Sequence, residues 1–414
     1  MIRSSAHTLK FANPGKRQGI LLFLTEYRRL LQTLVDDIWQ NGIMDFSVAK
    51  NRLDTPAYLP NDYLKGFDSW FTARMKQCVG KQACAMVKAA TKKRSKQLYM
   101  LKKLMREGKP TGSLQSKIDR QVLVRPDASN AKAELDPRFI DFQEDSTEFN
   151  TFARIKTIGG GMELRIPIRA TRPSNKWSSV GMRKNSIRLS ADALWLIYEV
   201  ADVPKHQGAT VGCDQGYKTV VTLSDGQSTM PCPHRHTLEA IQAKLARRKK
   251  GSNGFRRAQE HRKNYINWAL NQINWAGIGE VRFEKVRQLR FKKHTSRQMS
   301  HWAYTIIRKK VESLSETEGF RFREVENAFR SQRCSQCGRV LQSNRMGAAF
   351  MCDRCGFSAD ADVNAATNLS LDLFEIPWWV QQSRINRQGF YWLDSGLFTD
   401  DHEPIVRDNQ RTVA

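Results

Sequence analysis

The chain has 414 residues and a formal net charge of +27, with Lys+Arg 68 against Asp+Glu 41. That length allows two or three domains with sizeable cores, and a charge excess of that size points to a polyanionic partner, nucleic acid above all. No apolar run approaches the ~20 residues needed to span a bilayer, and the amino terminus lacks the apolar stretch of a secretory signal. Four cysteines at metal spacing and four scattered ones fit a reducing compartment rather than a disulfide framework. The expectation is a cytoplasmic protein without a membrane partner.

His7 to Phe11 reads as a short strand, followed by the turn Asn13-Pro14-Gly15. Leu24, Tyr27, Leu31, Leu34, Val35 and Ile38 recur at three- and four-residue spacing and predict a helix over Gly19 to Trp39. A second helical region covers Asn61 to Arg106, aromatic at first (Tyr63, Phe67, Trp70, Phe71) and then basic (Lys88, Lys92, Lys93, Arg94, Lys96, Lys102, Lys103). Gly108-Lys-Pro110 ends it. A dense basic face is often only a solvated surface, but in so basic a chain it is read as a nucleic-acid-contacting face. Cys78 and Cys84 within it read as ordinary half-buried thiols.

From about Arg120 the texture turns to strands. Leu164, Ile166 and Ile168 alternate on one face of Glu163 to Arg169, with Pro167 marking an edge. Ser186 to Leu189 and Leu194 to Val200 follow, joined by the turn Ser190-Ala-Asp192. These segments suggest a small β-rich module, a barrel in outline, with no catalytic signature of its own.

Ala209 to Asp225 then reads strand, tight turn, strand. An aspartate near the end of a buried strand is costly unless paired or bound to a cation, so Asp214 is a metal-ligand candidate. Two Arg- and Lys-rich helices follow, Thr237 to Arg248 and Phe255 to Trp275. Cys232-Pro-His234-Arg-His236 lies in a loop and reads as a loop rather than a second metal site. Ile278 to Val286 is a short strand with glutamates at 280 and 284, Ser300 to Leu314 a helix, and Phe320 to Val325 a strand.

The most informative stretch comes next. Cys334-x-x-Cys337, fourteen further residues and Cys352-x-x-Cys355 can place four thiolates tetrahedrally around one Zn²⁺, with Gly338 and Gly356 turning the chain after each pair. Asp360-Ala-Asp362-Val-Asn364 follows at once and opens an apparent helix, which suggests a module set beside a metal-dependent site.

With Asp214, Glu284 and Asp362 in view, the chain resembles the TnpB-type RNA-guided DNA endonucleases, transposon-associated relatives of the small type V CRISPR effector nucleases. The matching pieces are Val211-Gly-Cys-Asp-Gln-Gly-Tyr217 with Leu223-Ser-Asp-Gly226, the basic run Ala246-Arg-Arg-Lys-Lys-Gly-Ser252, Glu284 after its strand, Phe329-Arg-Ser-Gln-Arg-Cys-Ser-Gln-Cys-Gly338, and Asp360-Ala-Asp-Val-Asn-Ala-Ala-Thr-Asn368. Together they span about residues 160 to 370; the first 160 residues match in general layout only. Gln215 stands where an apolar residue is usual and Arg330 where Thr is expected; neither removes a ligand. The tail beyond Leu373, with Trp378-Trp379 and Asp400-Asp401, has no assigned counterpart.

The resemblance implies an α/β multi-domain protein with a RuvC-like, ribonuclease-H-type nuclease domain, an inserted zinc ribbon, a helical recognition lobe and a wedge-like β-barrel. Its layout implies a first barrel strand at 1–15, the helical recognition domain at 16–118, the barrel at 119–205, and the larger nuclease segment at 206–327. The four-Cys ribbon, contacting target nucleic acid, follows at 328–358, the shorter nuclease segment at 359–375, and a tail at 376–414. Two Mg²⁺ ions are implied, with Asp214 between them and Glu284 and Asp362 completing one site each; Glu280, Asp360 and Asn364 are second choices, Asp360 reading better as a helix N-cap. One structural Zn²⁺ on Cys334, Cys337, Cys352 and Cys355 completes the cofactors. Guide RNA and target DNA are the implied partners, contacted by Arg247, Arg248, Lys249, Lys250 and Arg330 among others. A DNA-binding transposition or regulatory protein that does not cut is the rival reading; it explains the charge and the ribbon but not three spaced carboxylates.

Overall fold

A computed structural model describes residues 1–41, 59–120, 124–144, 149, 151–286 and 303–406, without the side chains of 91, 93, 94 and 120. The chain divides into two compact units, Met1–Ala201 and Asp202–Ala414. Among the described residues no helix is long and apolar enough to cross a membrane.

The first unit runs β1 (Ile2–Thr8), α1 (Pro14–Asn41), α2 (Asn61–Lys65), α3 (Ala73–Arg106), α4 (Gly112–Arg120), β2 (Ala133–Leu135), β3 (Ile140–Glu144), β4 (Thr151–Gly159), β5 (Met162–Ile168), α5 (Arg172–Val180), β6 (Gly181–Leu189) and β7 (Ala193–Val200). Pro14 opens α1, where a missing N–H costs nothing, and Asn13 Oδ1 accepts from Lys16 N at 2.9 Å. All six apolar positions expected on the helical stripe are buried. The helix expected over 61–106 is broken at 66–72. Phe71 bridges to Gly159 there, in a backbone approach so close that a Cβ on Gly159 would stand 2.2 Å from Trp70 O; Thr72 then caps α3 afresh. The expected strand at His7 to Phe11 is really β1, which begins at Ile2 and ends at Thr8, with a 3₁₀ turn over Leu9–Phe11.

The strands make two antiparallel sheets, β1-β7-β6-β2 and β3-β4-β5. β5 is the edge that Pro167 indicated. One core joins both sheets to α1 and α3. Cys78 and Cys84 are fully buried in it rather than half-buried, and burial pushes each thiol up to about 11, which leaves them inert at neutral pH. The exposed second half of α3 presents Lys88, Lys92, Lys96, Lys102 and Lys103; the side chains of Lys93 and Arg94 lie outside the described residues.

The second unit begins with β8 (Ala209–Gln215), β9 (Val221–Leu223), α6 (Leu238–Arg247), α7 (Asn253–Leu270), β10 (Ile278–Lys285), α8 (Tyr304–Glu318) and β11 (Arg321–Glu326). It continues with β12 (Arg339–Val340), β13 (Arg345–Met346), β14 (Ala349–Met351), β15 (Ser358–Asp360), α9 (Ala361–Ser370), α10 (Trp378–Gln382), β16 (Phe390–Trp392) and β17 (Leu397–Phe398). The main sheet has the order β11-β10-β8-β9, with β8, β10 and β11 parallel and β9 antiparallel at the edge. Parallel neighbours need covered faces. Val211, Cys213, Val281 and Phe283 pack in a core with residues of α6, α7 and α8, while α9 lies against β8.

Candidate active site and four-cysteine centre

Strand alternation decides what β8 and β10 offer to α9. Val211 and Cys213 enter the core, so Gly212 and Asp214 belong to the opposite face. Gly212 admits the helix backbone directly: a Cβ there would sit 1.9 Å from Ala366 O and 2.6 Å from Ser370 N. Its parallel neighbour Arg282 donates to Ser370 O at 3.0 Å, so the carboxyl end of α9 lies at this pair. One pair further on, Phe283 matches Cys213, which sets Glu284 beside Asp214 where α9 begins. Asp362 stands in the first turn of α9.

The three carboxylates feel one another. Burial raises the Asp214 pKa well above the ordinary aspartate value, and the charges of Glu284 and then Asp362 raise it further; Arg345 opposes them. Burial also raises Glu284, against Asn327 Nδ2 donating to its Oε1 at 3.0 Å and against the pull of Arg345. Arg345, on β13, donates from Nη2 to Asp362 Oδ1 at 2.8 Å. Sequence reasoning missed this arginine, and Asn327 with it. Gln215 donates from Nε2 to Glu284 O at 3.1 Å, and its own buried Oε1 has no partner among the described residues. Three hard oxygen donors that act on one another's charge, without being gathered as tightly as a bound ion would draw them, are chemically suited to divalent cations.

Glu280 lies at the far end of β10, where Arg282 donates to it at 2.9 Å and Arg321 stands 3.6 Å away. Asp360 is the N-cap of α9, accepting from Asp362 N at 2.9 Å and Val363 N at 3.1 Å.

The four-cysteine centre is built from one turn used twice. Cys334 N donates to Arg339 O at 2.8 Å and Gly338 N to Cys334 O at 3.0 Å; Cys352 N donates to Phe357 O at 2.8 Å and Gly356 N to Cys352 O at 3.2 Å. Both turns need the positive φ of Gly338 and Gly356, 83° and 69°. The outcome is four ligand sulfurs within 4.8 Å of one another, the single group of metal-binding geometry found among the described residues. Cys334 Sγ lies 3.7 Å from Cys355 Sγ, and Cys337 Sγ 3.6 Å from Cys352 Sγ. Burial raises the Cys337 thiol strongly, whereas the Phe357 N–H lowers Cys355. This donor set suits Zn²⁺ with no open position.

Helix α9 is bolted to this centre. Asn364 Oδ1 accepts from Ser335 N at 3.0 Å, and its Nδ2 donates to Arg333 O at 2.8 Å. Asn368 donates from Nδ2 to Arg330 O and Arg333 O at 3.1 and 2.7 Å, while its Oδ1 accepts from Arg333 Nη1 at 2.6 Å. Both asparagines are buried, so Asn364 is a structural bracket rather than an alternative carboxylate partner. Arg330 is a correction as well. It is only 8% exposed, donates to Glu326 O at 2.9 Å and to Asn368 O, and stacks its guanidinium 5.1 Å from the Trp392 ring. Burial lowers its pKa to about 10. It is an interior group, and nucleic acid cannot reach it as read from sequence.

Arg247, Arg248, Lys249 and Lys250 are exposed where α6 turns toward α7. His234 and His236 keep their rings 6.4 Å apart in a loop. The unassigned tail packs on the four-cysteine segment. β16 pairs with β12, Val340 joins Ile376, Val380, Phe390, Trp392 and Leu397 in a small core, and Arg339 pairs with Asp400.

A mixed sheet with three convergent carboxylates, joined through one helix to a four-cysteine centre, defines a mixed α/β protein with two adjoining candidate metal sites. Residues 304–369 match the family model "Cas12f1-like, TNB domain". The CRISPR-associated endodeoxyribonuclease Cas12f1 of Sulfoacidibacillus thermotolerans is 32% identical over 28% of this chain and 27% of its own length. A TnpB-like protein of Aquifex aeolicus is 35% identical over 21% and 31%, and the putative RNA-guided DNA endonuclease InsQ of Escherichia coli 26% identical over 40% and 50%. The chain thus spans half or less of the length of these relatives. The cryo-EM structure of a Cas12f1–sgRNA–target DNA complex overlaps 86% of this chain and 82% of that one at 14% identity and a TM-score of 0.49, a likeness too loose to bear an argument. The sequence relatives agree with the resemblance read from the motifs: the chain is similar to TnpB-like and Cas12f1 proteins over part of its length.

Proposed function

We propose that the protein is an RNA-guided DNA endonuclease whose main sheet is a RuvC-like, ribonuclease-H-type nuclease core. The observation that carries this reading is the convergence of Asp214, Glu284 and Asp362, in which the two partners each raise the charge cost of Asp214. In this reading 206–327 and 359–375 form the nuclease, 328–358 the zinc ribbon, 16–118 the recognition lobe, and 1–15 with 119–205 the wedge-like barrel. Relatives named as RNA-guided or CRISPR-associated nucleases support it.

Asp214, Glu284 and Asp362 would hold Mg²⁺, with Asp214 shared between two ions. When bound, the ions activate a water and stabilise the leaving oxygen of the phosphodiester. The chain's own groups set the stage. Asn327 fixes the Glu284 carboxylate, Asp360 caps the helix that carries Asp362, and Asn364 and Asn368 hold that helix to the ribbon. Arg345, close enough to neutralise Asp362, is also placed to meet the negative charge of a substrate phosphate. Sequence choice falls to pairing between guide and target, with the protein reading a short flanking motif and the backbone. The exposed Arg247, Arg248, Lys249 and Lys250 serve phosphate contact.

The test is expression with the native flanking locus. A discrete RNA should co-purify, and double-stranded DNA cleavage should require that RNA, Mg²⁺ and a matching target. Target-specific cutting after ribonuclease treatment and high-salt stripping would leave an unguided nuclease. Guide-dependent binding with no cutting at any Mg²⁺ concentration would favour the non-cleaving regulator.

A further inference from the structure

The outer face of the β3-β4-β5 sheet changes character along its length. Toward the β4–β5 turn its charges are internally matched: Arg154 makes a two-pronged pair with Glu163 at 2.6 and 2.7 Å, and Lys156 pairs with Asp141. At the other end the pattern reverses. Phe152, opposite Pro167 in the ladder, lies half-exposed on this face. Arg165 stands on the neighbouring strand two residues from Pro167, its guanidinium 4.7 Å from the Phe152 ring centre, and Lys16 Nζ approaches the same ring to 5.7 Å.

The rings continue. Phe152 lies 6.1 Å from Phe149 and Phe149 5.7 Å from Phe11, centre to centre, all three half-exposed. Phe11 carries its own cations, Lys10 at 5.1 Å and Arg169 at 5.9 Å. Among the described residues no carboxylate lies within salt-bridge distance of any of these four cations. A half-exposed phenylalanine row leaves apolar area in water, and the four neighbouring cations, none salt-bridged among the described residues although Glu163 lies in the field of Arg165, raise the local positive potential.

We propose that this row is a stacking platform for single-stranded polynucleotide. Unpaired bases stack on the exposed parts of Phe149 and Phe152, with the Arg165 guanidinium moving off the Phe152 ring to the flanking phosphates, which also take Lys10, Lys16 and Arg169. Phenyl faces and cations read base planes and phosphates, and none of these contacts requires a ribose hydroxyl. The platform therefore does not distinguish RNA from DNA, and a continuous duplex, whose bases are stacked already, does not use the rings.

The test uses the full chain freed of nucleic acid. Single-stranded ten-residue oligo(U) and oligo(dT) bearing one 5-iodo-pyrimidine should photocrosslink to peptides containing Phe149 or Phe152, in comparable yield for the two sugars. Phe152→Leu, which keeps the apolar bulk, should cut that crosslink and weaken binding of both oligomers through this face by about tenfold, leaving affinity for a blunt duplex of the same length within about twofold. Arg165→Gln should weaken single strand and duplex alike and reduce the salt slope by about one. Absence of the crosslink, a crosslink to one sugar alone, or an equal loss of duplex binding in Phe152→Leu each overturns the platform.

Discussion

Arg345 and Asp362 are joined at 2.8 Å, linking β13 of the four-cysteine segment to the first turn of α9. The cation opposes the charge that Asp214 and Glu284 must otherwise carry together. Arg345→Gln should therefore lower the melting temperature of metal-free protein. It should also slow DNA cleavage by about 10²-fold, the usual size of a lost charge-stabilising group, while guide retention stays unchanged. Wild-type cleavage in this variant would remove Arg345 from the reaction.

Asp214→Asn tests the cluster through pH. Burial and like charges raise the Asp214 pKa in the folded chain above its unfolded value of about 3.9. Folding then takes up a proton, so this group's favourable contribution is complete below the unfolded pKa and is lost as pH rises through the folded pKa. In chelator at neutral pH the asparagine variant should melt about 2–4 °C above wild type, the size of a 1 kcal/mol effect in a unit of the length of Asp202–Ala414. That gain should shrink on acidification toward pH 4. Mg²⁺ should stabilise wild type more than the variant, and the variant should not cut. A variant less stable than wild type in chelator at neutral pH would contradict the mutual repulsion.

Cys334→Ser should lower zinc from about one per chain, measured by elemental analysis, and lower thermal stability with it, because a closed thiolate site contributes folding free energy directly. Zinc-free protein of unchanged stability would dispose of the structural ion.

Asn364→Ala separates the two metal sites. It strands the Ser335 N–H, at about 1–3 kcal/mol when buried, and takes from Arg333 O one of its two amide donors, leaving Asn368. Zinc should remain, yet cleavage should fall and need more Mg²⁺, since the helix bearing Asp362 has lost the anchor nearer to it and keeps only Asn368. An unaltered Mg²⁺ dependence would mean that the ribbon does not set Asp362.

Gly212→Ala forces a Cβ against Ala366 O, so α9 must shift as a body. The expected result is lost cleavage with binding of the guide retained, read by RNA content after purification. Full activity would show that α9 has room to move without consequence.

The features legible in the sequence are those written in short-range pattern. The Cys-x-x-Cys-Gly repeat encodes one turn twice, period-two alternation sets Leu164, Ile166 and Ile168 inward, and Asp360 announces a helix start by its position before Asp362. Arg345 carries no such signal: it sits on a two-residue strand in a polar spacer, and its partner is distant in sequence. Arg330 misleads for the same reason. In a chain with 68 Lys and Arg a basic residue reads as surface, and only Asn368 and Trp392, both far along the chain, make it interior. The break at 66–72 is hidden because it answers to Gly159, a tertiary neighbour that no helical periodicity reports.

The order in which the main sheet is completed has a consequence during synthesis. A ribosome adds about 5–20 residues per second and releases the chain from its amino end. Asp214 and Glu284 emerge well before Asp362, and the strand that closes the ribbon's small core, Phe390–Trp392, emerges later still. A nascent chain therefore exposes its basic first unit, complete by Ala201, while the third carboxylate is still unmade. If the proposed function holds, RNA would be loaded before there is anything to cut with, and the end of translation would complete the carboxylate cluster.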